Sequence, residues 1–331
     1  MTLERLRHAL VALTVVASGF LMTAAAGPPT GSAQAEPATP LAAGTDTFLG
    51  STMTARLDEL FERYWNQLTP EDAGKWLSVE AQRGTMVWTI LDVIFAYARE
   101  RGLPVKQHTF VWGQQEPRWV AGLPPDEQRQ AVDAWMRAFA ERYPDVAMID
   151  VVNEPLHAPP SYADAIGGSG ATGWDWVVWS FERARTHFPE AELLINEYNI
   201  LCCAANRRRY AQLIELLQER DLIDGIGVQA HGLEHAPSEV IVANLDALAQ
   251  LGLPIYVSEL DLEASDDDVQ LAMYQRVFPL LWEHEAVAGI TLWGYRAGQI
   301  WKRNAYLVDW FDEERPALRW LVAYLRDSTS E

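Results

Sequence analysis

The chain alternates between two hydrophobic patterns. Short apolar runs rich in β-branched residues, typical of buried strands, are separated by longer segments whose apolar residues recur every three or four positions, as on one face of a helix. Strands are predicted at Phe48–Met53, Trp65–Leu68, Val105–Val111, Met148–Val152, Leu193–Asn196, Gly225–Gln229, Ile255–Leu260 and Gly289–Trp293. Helices are predicted around Trp88–Arg101, Pro125–Arg142, Trp174–His187, Asn206–Arg220, Ser238–Leu251, Asp267–Glu285 and Pro316–Leu325.

This alternation favours one fold class. Gly102-Leu103-Pro104 and Gly252-Leu253-Pro254 each stop a helix directly before a strand. Strands and helices in alternation favour a parallel sheet, and eight strands favour a closed (β/α)8 TIM barrel, here a single α/β domain over residues 47–327. An open doubly wound sheet is the alternative, but no glycine-rich phosphate-binding turn follows any strand.

The N-terminal residues follow neither pattern. A short basic segment precedes an apolar run from about Ala9 to Met22, and small residues follow, with Ala33-Gln34-Ala35 as the favoured cleavage site. The run is too short to be a good membrane span. Residues 1–35 are therefore predicted to be a secretory signal peptide and residues 36–46 a flexible lead-in. We expect a soluble, secreted mature protein, extracellular or periplasmic, with no membrane partner after signal removal.

Composition narrows the possible partners. The net charge of −20 argues against nucleic acid and anionic membranes. The two cysteines, Cys202 and Cys203, are adjacent, and neighbouring cysteines rarely satisfy ordinary disulfide geometry, so two free thiols are expected over a strained vicinal disulfide. No cysteine and histidine spacing resembles a zinc site. We expect a monomer with neither a metal nor an organic cofactor.

Tryptophan is frequent, with 14 residues in the chain. Its ring suits stacking on the apolar face of a sugar. Several tryptophans stand beside polar residues rather than inside an apolar period, and these are candidates for sugar binding: Trp76, Trp112, Trp119, Trp293 and Trp301.

Polar and aromatic residues gather where the predicted strands end. In a (β/α)8 barrel the C-terminal strand ends carry the active site. Seven of the strands would bring such residues to that rim, among them Lys75, Trp76, His108, Trp112, Gln115, Asn153, Glu154, Asn196, Glu197, Gln229, His231, Glu259, Asp261 and Trp293. The shared position predicts one active site at this rim.

Two of these strands end in a glutamate, within Asp150–Pro155 and Ile255–Asp261. A buried carboxylate is costly unless it is partnered, so packing explains these acids poorly. Retaining glycoside hydrolysis needs one ionised and one protonated carboxyl, roughly 5–5.5 Å apart. Strands four and seven lie on nearly opposite sides of an eight-stranded barrel, so Glu154 and Glu259 are expected to converge as a catalytic pair.

The neighbours of the two glutamates suggest their roles. His231 ends strand six and could hydrogen-bond the charged form of Glu259, which suits a nucleophile. Glu154 would then be the acid/base, and Asn153 beside it could bind the sugar 2-hydroxyl. Read singly, His231 could instead be a buried core histidine and Glu154 a salt-bridged acid. Candidates for orienting acids are Glu197, Asp261 and Glu263.

Taken together, these residues show that the chain resembles glycoside hydrolase family 10, the retaining endo-β-1,4-xylanases. The resemblance runs from about Phe48 to Leu325. It rests on six segments in order: Leu68–Trp76, His108–Trp112, Asp150–Pro155, Gly225–His231, Ser258–Asp261 and Gly289–Gly294. It implies a TIM barrel that hydrolyses internal β-1,4-xylosidic bonds of xylan by double displacement, with Glu154 as acid/base and Glu259 as nucleophile.

The resemblance also implies which residues bind xylan or xylo-oligosaccharide. At the cleavage point these would be Lys75, His108, Asn153, Gln229, His231 and Trp293. The non-reducing-end side of the cleft would be lined by Glu71, Trp112, Gln115 and Trp301. Three positions depart from the family pattern and are expected around the sugar: Asp72 for the usual Asn, Gly113 for a histidine and Ala297 for an Asp.

Other functions stay open. A β-1,4-glucanase or aryl-β-glycosidase could use the same carboxylates, and relative turnover on xylan and on soluble cellulose derivatives distinguishes them. A non-catalytic polysaccharide-binding barrel would bind xylan without releasing sugar. A metal-dependent barrel hydrolase using His108 and His231 would lose activity in EDTA.

Overall fold

The computed structural model describes residues 39–54 and 56–328. Its strands are β1 (Phe48–Met53), β2 (Gln67–Pro70), β3 (Lys106–Val111), β4 (Met148–Asn153), β5 (Glu192–Glu197), β6 (Gly225–Gln229), β7 (Ile255–Leu260) and β8 (Val287–Leu292). Its α-helices are α1 (Phe61–Tyr64), α2 (Trp76–Val79), α3 (Thr89–Arg101), α4 (Pro125–Arg142), α5 (Asp175–His187), α6 (Ala204–Gln218), α7 (Ser238–Ala249), α8 (Asp267–Trp282) and α9 (Pro316–Ser328). Within these ranges no helix is long and apolar enough to cross a membrane.

The strands form one parallel sheet in the order β2-β1-β8-β7-β6-β5-β4-β3. The sheet curls until β2 meets the residues before β3, where Leu68 and Val105 form a parallel bridge. The Leu68 amide donates to the Pro104 carbonyl at 3.0 Å across this seam. The predicted (β/α)8 TIM barrel is confirmed, and the open doubly wound alternative is wrong.

Most predicted strand bounds agree with the structure to within two residues, and those of β1, β6 and β7 are the same. The second strand begins at Gln67 rather than Trp65. The short helix α1 explains this shift, because the Trp65 amide caps it by donating to the Phe61 carbonyl at 2.9 Å. The sequence pattern did not predict α1, which is only one turn long and has too few residues to show a helical period.

Apolar residues close the N-terminal end of the barrel. Met148, Leu194 and Tyr256 form a small cluster against Phe48, separate from the main core between sheet and helices. The Phe48 and Tyr256 rings stack with centroids 5.8 Å apart. This end is packed shut, which leaves the C-terminal end for function, as expected for this fold.

Two of the candidate sugar-binding tryptophans belong to the core instead. Trp76 is 2% exposed, stacks on Trp135 with centroids 6.2 Å apart, and donates its Nε1–H to Glu80 at 2.9 Å. Trp119 packs edge-on against Trp76 and donates to the Glu80 carbonyl at 2.9 Å. The expectation of sugar binding is wrong for this pair, because Glu80 supplies the polar partner that lets both indoles pack inside.

The two predicted N-terminal segments differ in how far the structure describes them. The predicted signal peptide, residues 1–35, lies outside them. The lead-in was expected to be flexible, yet Leu41 and Ala42 are buried in the core. The Leu41 amide donates to the Tyr64 carbonyl at 3.1 Å, so this part of the lead-in is held against the barrel.

Cys202 and Cys203 precede α6 and are both free, as expected. Cys202 is exposed, with its sulfur 3.6 Å from Asn199 Oδ1. Surrounding protein groups partly shield the Cys202 thiol from water and, together with the neighbouring Cys203, raise its pKa, which keeps it in the unreactive thiol form at neutral pH.

Candidate active site

A cleft of about 500 Å³ opens at the C-terminal end of the barrel. Its walls come from the ends of β2 to β7 and from the connection between β8 and α9. The structure brings every predicted catalytic and substrate-binding residue to it: Glu71, Lys75, His108, Trp112, Gln115, Asn153, Glu154, Gln229, His231, Glu259, Trp293 and Trp301. Asp72, Gln114 and Tyr198 complete the lining.

Glu259, near the end of β7, lies in a positively charged environment. Its Oε2 is 3.0 Å from His231 Nε2, and its Oε1 accepts a hydrogen bond of 2.7 Å from Asn196 Nδ2. Burial alone would raise the pKa of Glu259, but the His231 hydrogen bond and the charges of His108, His231 and Lys106 lower it below the usual value. The carboxylate is therefore held ionised.

His231 carries the charge that faces Glu259. On its other side, Nδ1 is 2.9 Å from Asp261 Oδ1, as an ion pair. Burial lowers the pKa of His231, but the contacts with Asp261 and Glu259 outweigh burial and raise it to about 9. Asp261 in turn accepts from Lys302 Nζ at 2.8 Å and from Trp301 Nε1 at 2.6 Å. Positive and negative groups thus alternate behind Glu259.

Glu154 directly follows β4 and has a strained backbone. Its φ of +54° lies in the left-handed region that non-glycine residues rarely adopt. Its amide donates to the Asn196 carbonyl at 2.8 Å, and its carbonyl accepts from the Ala158 amide at 2.8 Å. The partly buried Trp112 donates to its Oε2 at 3.0 Å, and Gln229 to its Oε1 at 3.3 Å. These donors are neutral, so a proton on Glu154 would break no ion pair with them.

Side-chain amides connect the two glutamates. Asn196 Nδ2 donates both to Glu259 and to Asn153 Oδ1, the latter at 2.9 Å. Gln229 Nε2 lies 3.1 Å from Asn153 Oδ1 and 3.3 Å from Glu154 Oε1. Because these amides are buried and bonded to one another, they fix the relative position of the carboxyl groups.

A fully buried charged group lies below this layer. Asp150 Oδ2 accepts from Lys106 Nζ at 2.8 Å and contacts His108 Nδ1 at 2.9 Å. Burial would raise the pKa of Asp150, but Lys106 and His108 lower it. The His108 ring then meets Trp293 edge-on, with centroids 4.9 Å apart. No role was predicted for Lys106 or Asp150, although charged residues inside apolar strands could have pointed to one.

The end of the cleft at β2 carries two adjacent carboxyl groups. Asp72 accepts from Gln115 Nε2 at 3.0 Å and from Lys75 Nζ at 3.3 Å. Partial desolvation by nearby protein groups raises the pKa of Asp72, but these two partners outweigh it and lower the pKa overall. Burial and the charge of Asp72 raise the pKa of Glu71 to about 7, against the opposing effect of Lys75. Near neutral pH one of these carboxyl groups is ionised and the other is partly protonated.

Glu197 orients backbone rather than substrate. Its fully buried carboxyl accepts from the amides of Leu156 and Tyr198, each at 2.8 Å, and lies 2.9 Å from His157 Nδ1. Burial raises the pKa of Glu197 despite these partners. Tyr198 stacks on His157 with centroids 4.2 Å apart and lines the cleft. Sequence reasoning missed Tyr198, and its place directly after a strand end was the available signal.

Of the three departures from the family pattern, Asp72 is in the cleft lining and the other two serve the connections around it. The Gly113 amide donates to the Ala158 carbonyl at 2.9 Å, and a Cβ at Gly113 would overlap the carbonyl oxygens of Ala158 and Pro159. Ala297 is 6% exposed, and its amide donates to the Val308 carbonyl at 2.8 Å. Gly113 and Ala297 thus lie outside the lining of the cleft, and the expectation that they surround the sugar stays a prediction.

Comparison with known proteins gives consistent matches. The family model described as glycosyl hydrolase family 10 matches residues 35–324. Endo-1,4-beta-xylanase B of Cellvibrio japonicus is 40% identical over an alignment of 280 residues, which covers 83% of this chain and 45% of that protein. The chain thus spans less than half the length of that relative.

Solved structures match the fold over nearly their whole length. A GH10 structure from Paenibacillus barcinonensis superposes with a TM-score of 0.79 at 25% identity, covering 87% of this chain and 97% of that one. The intracellular xylanase TsXylA of Thermoanaerobacterium saccharolyticum, as a mutant in complex with xylotetraose, gives a TM-score of 0.72 at 25% identity, covering 83% and 95%.

Proposed function

The chain belongs to glycosyl hydrolase family 10, and we propose that it is an endo-1,4-β-xylanase that cleaves internal bonds of xylan with retention of configuration. The observation that carries the proposal is the contrast between two carboxyl groups in one cleft. Glu259 is held ionised by His231, whereas neutral donors surround Glu154. Two carboxyl groups in opposite environments are the equipment of a retaining glycosidase.

In the first step Glu259 attacks the anomeric carbon of the sugar, and Glu154 gives its proton to the departing glycosidic oxygen. The covalent glycosyl-enzyme forms as the glycosidic bond breaks. In the second step Glu154 takes a proton from water, the water attacks the anomeric carbon, and Glu259 leaves as a carboxylate. The Asn153 amide is positioned by Asn196 and Gln229 to bind the sugar 2-hydroxyl.

The substrate class rests on the relatives. The Cellvibrio protein and other similar proteins carry the name endo-1,4-beta-xylanase, and the TsXylA structure holds xylotetraose. Xylose lacks the hydroxymethyl group of glucose, and a pocket discriminates against one such group by a limited factor, about 10–200-fold. A glucanase is therefore the competing activity within the same mechanism.

The test measures products and stereochemistry together. We expect reducing-sugar release from xylan at least about tenfold faster than from a soluble cellulose derivative. Proton NMR of xylohexaose hydrolysis should show the β-anomer of the new reducing end first, before mutarotation. Faster cleavage of the cellulose derivative would identify the activity as a glucanase rather than a xylanase. Initial release of the α-anomer would exclude retention of configuration.

We propose further that the protein is exported. The support is the sequence of residues 1–35, with its basic segment, apolar run and small-residue cleavage site. Expression of the full chain in a secreting host should yield enzyme outside the cytoplasm with a new N-terminus after Ala35. Recovery of intact N-terminus from the cytoplasm alone would contradict export.

A further inference from the structure

Exposed aromatic side chains are concentrated in one connection of the fold. Among the described residues, the exposed tryptophans and phenylalanine are Trp301 at 58%, Trp310 at 75% and Phe311 at 83%, all between β8 and α9. Trp301 belongs to the cleft. Trp310 and Phe311 have no part in the site described above. They are neighbours in the chain, and leaving two large aromatic side chains in water forgoes the free energy that their burial against a ligand would give.

The turn that carries these two rings is held in one shape. Asp309 Oδ1 accepts from the amides of Phe311 at 2.8 Å and Glu313 at 3.0 Å. The Asp309 amide donates back to the Glu313 carbonyl at 3.0 Å. A turn closed by hydrogen bonds on both sides holds Trp310 and Phe311 in place before any ligand binds, which lowers the entropic cost of binding.

The turn is also tied to the barrel. Arg296 contacts Asp312 Oδ1 at 2.5 Å and Asp58 Oδ1 at 3.0 Å, which joins the turn to the residues after β1. Arg296 and Val308 form a parallel bridge within the connection. The rings therefore sit on a braced part of the C-terminal face rather than on a free loop.

Trp310 lies next to the cleft. A Cβ at Gly298 would overlap the six-membered ring of Trp310, so the indole rests against the Gly298 backbone. Gly298 precedes Trp301 by three residues, a distance of at most about 11 Å along the chain. Trp301 is fixed in the cleft by its hydrogen bond to Asp261. Trp310 therefore packs against the same stretch of chain that carries Trp301 into the cleft.

We propose that Trp310 and Phe311 form an aromatic platform that extends the cleft beyond Trp301 and binds the part of a neutral β-1,4-linked polysaccharide chain that protrudes from it. The ring faces suit the apolar faces of sugars, and the exposed carboxylates of Asp312 and Glu313 can accept hydrogen bonds from sugar hydroxyls. The surface area of two rings is far smaller than the roughly 800 Å² that each partner buries in a stable protein interface. This favours a sugar chain over a protein as the ligand. The choice of xylan as ligand rests on the proposed function.

The experiment compares long and short substrates. The double variant W310A/F311A removes the platform, and I90A/V93A is the control, because it truncates exposed apolar side chains on α3. Initial rates are measured on xylotriose and on polymeric xylan. Binding is measured by affinity electrophoresis in gels containing xylan, with each pair of substitutions also placed on E259Q to prevent cleavage.

We expect W310A/F311A to lower kcat/KM on polymeric xylan and xylan affinity by about five- to tenfold, since aromatic contacts of this kind dominate binding sites. Turnover of xylotriose should stay within about twofold of wild type, and I90A/V93A should match wild type on both substrates. Equal losses on both substrates, or no loss on either, would overturn the platform. Conversion of a wild-type dimer to a monomer with unchanged xylan affinity would overturn it too, in favour of a protein contact.

A wrong proposed function would give a different result. The wild type would then cleave neither xylotriose nor xylan. In that case gels containing mannan, soluble cellulose derivatives or xylan still decide the platform, because W310A/F311A must migrate faster than wild type in at least one of them. Equal migration of the two proteins in all gels would overturn it.

Discussion

The surroundings of Glu259 and Glu154 differ more than their similar strand-end positions suggest. Behind Glu259 lies an alternating series of charges, from His231 through Asp261 to Lys302. Around Glu154 the hydrogen-bond donors are an indole and two amides. One side of the cleft thus surrounds its carboxyl group with charged partners, and the other surrounds its carboxyl group with neutral donors.

The difference also shows what each side demands of the fold. A buried charge is tolerated only with partners, and Glu259 has charged ones, from His231 beside it to Lys106, which is paired with Asp150 inside the barrel. The Glu154 side needs only polar groups and one strained backbone position. The following predictions test this contrast, in order of expected effect.

Replacing each glutamate by glutamine should separate their roles most strongly. E259Q should lower kcat/KM about 10⁴-fold or more on every substrate, because no covalent intermediate can form. E154Q should lose about 10²–10⁴-fold on xylan. An aryl β-xylobioside whose phenol is acidic has a leaving group that needs no proton. The rate at which it forms the glycosyl-enzyme should therefore hardly change in E154Q. Equal losses of E154Q on both substrates, measured by pre-steady-state phenol release, would contradict the assignment.

Removing the imidazolium should change the pH profile. The folded pKa of Glu259 is depressed, so the active carboxylate is present above that pKa and lost as pH falls through it. In H231N the pKa of Glu259 should rise, so the acidic limb of kcat/KM should move to higher pH, with a loss of roughly a hundredfold at pH 5. H157N, which removes a histidine paired with Glu197, is the control and should leave that limb in place. An unmoved acidic limb in H231N would contradict the charge contrast.

The buried charges should matter for stability. K106M leaves Asp150 buried with one partner fewer, and the free energy of unfolding should fall by about 3–5 kcal/mol in chemical denaturation. The charged groups of Arg83 and Glu127 are 2.8 Å apart, and each side chain is about half exposed. R83A should therefore lower the free energy of unfolding by less than about 1 kcal/mol. The double variant K106M/D150L should recover part of the loss, and equal destabilisation by K106M and R83A would show that burial does not decide the effect.

The smallest effect is expected at Asp72, whose side chain is 71% exposed. D72N should change KM for xylo-oligosaccharides by about two- to threefold with kcat preserved, because water screens the contacts of an exposed carboxylate. D72N also removes a negative neighbour of Glu71, which should lower the pKa of Glu71. The change of KM with pH that occurs near pH 7 in the wild type should therefore occur at a lower pH. A tenfold loss of kcat in D72N would place Asp72 closer to the reaction than the structure indicates.

Much of this site was predictable, because a parallel barrel turns chain order into position. Once Asn153, Gln229 and Glu259 are known to end strands, the fold carries them to one rim. Trp76 follows a strand as well, and there the same reasoning failed. Whether a side chain after a strand turns toward the cleft or into the core depends on its partners. For Trp76 these are Glu80, four residues further along, and Trp135, which comes from α4.

The sequence by itself determined the barrel, the order of its strands and the two glutamates, since hydrophobic period and strand-end position are local properties of the chain. Tertiary structure alone decided what each group experiences. Lys106, Asp150 and His108 come from two strands and meet only inside the barrel, and Trp310 reaches the neighbourhood of the cleft only through the fold of its connection. Charge interactions and burial depend on distance in space, and that distance is set by contacts between segments far apart in the sequence.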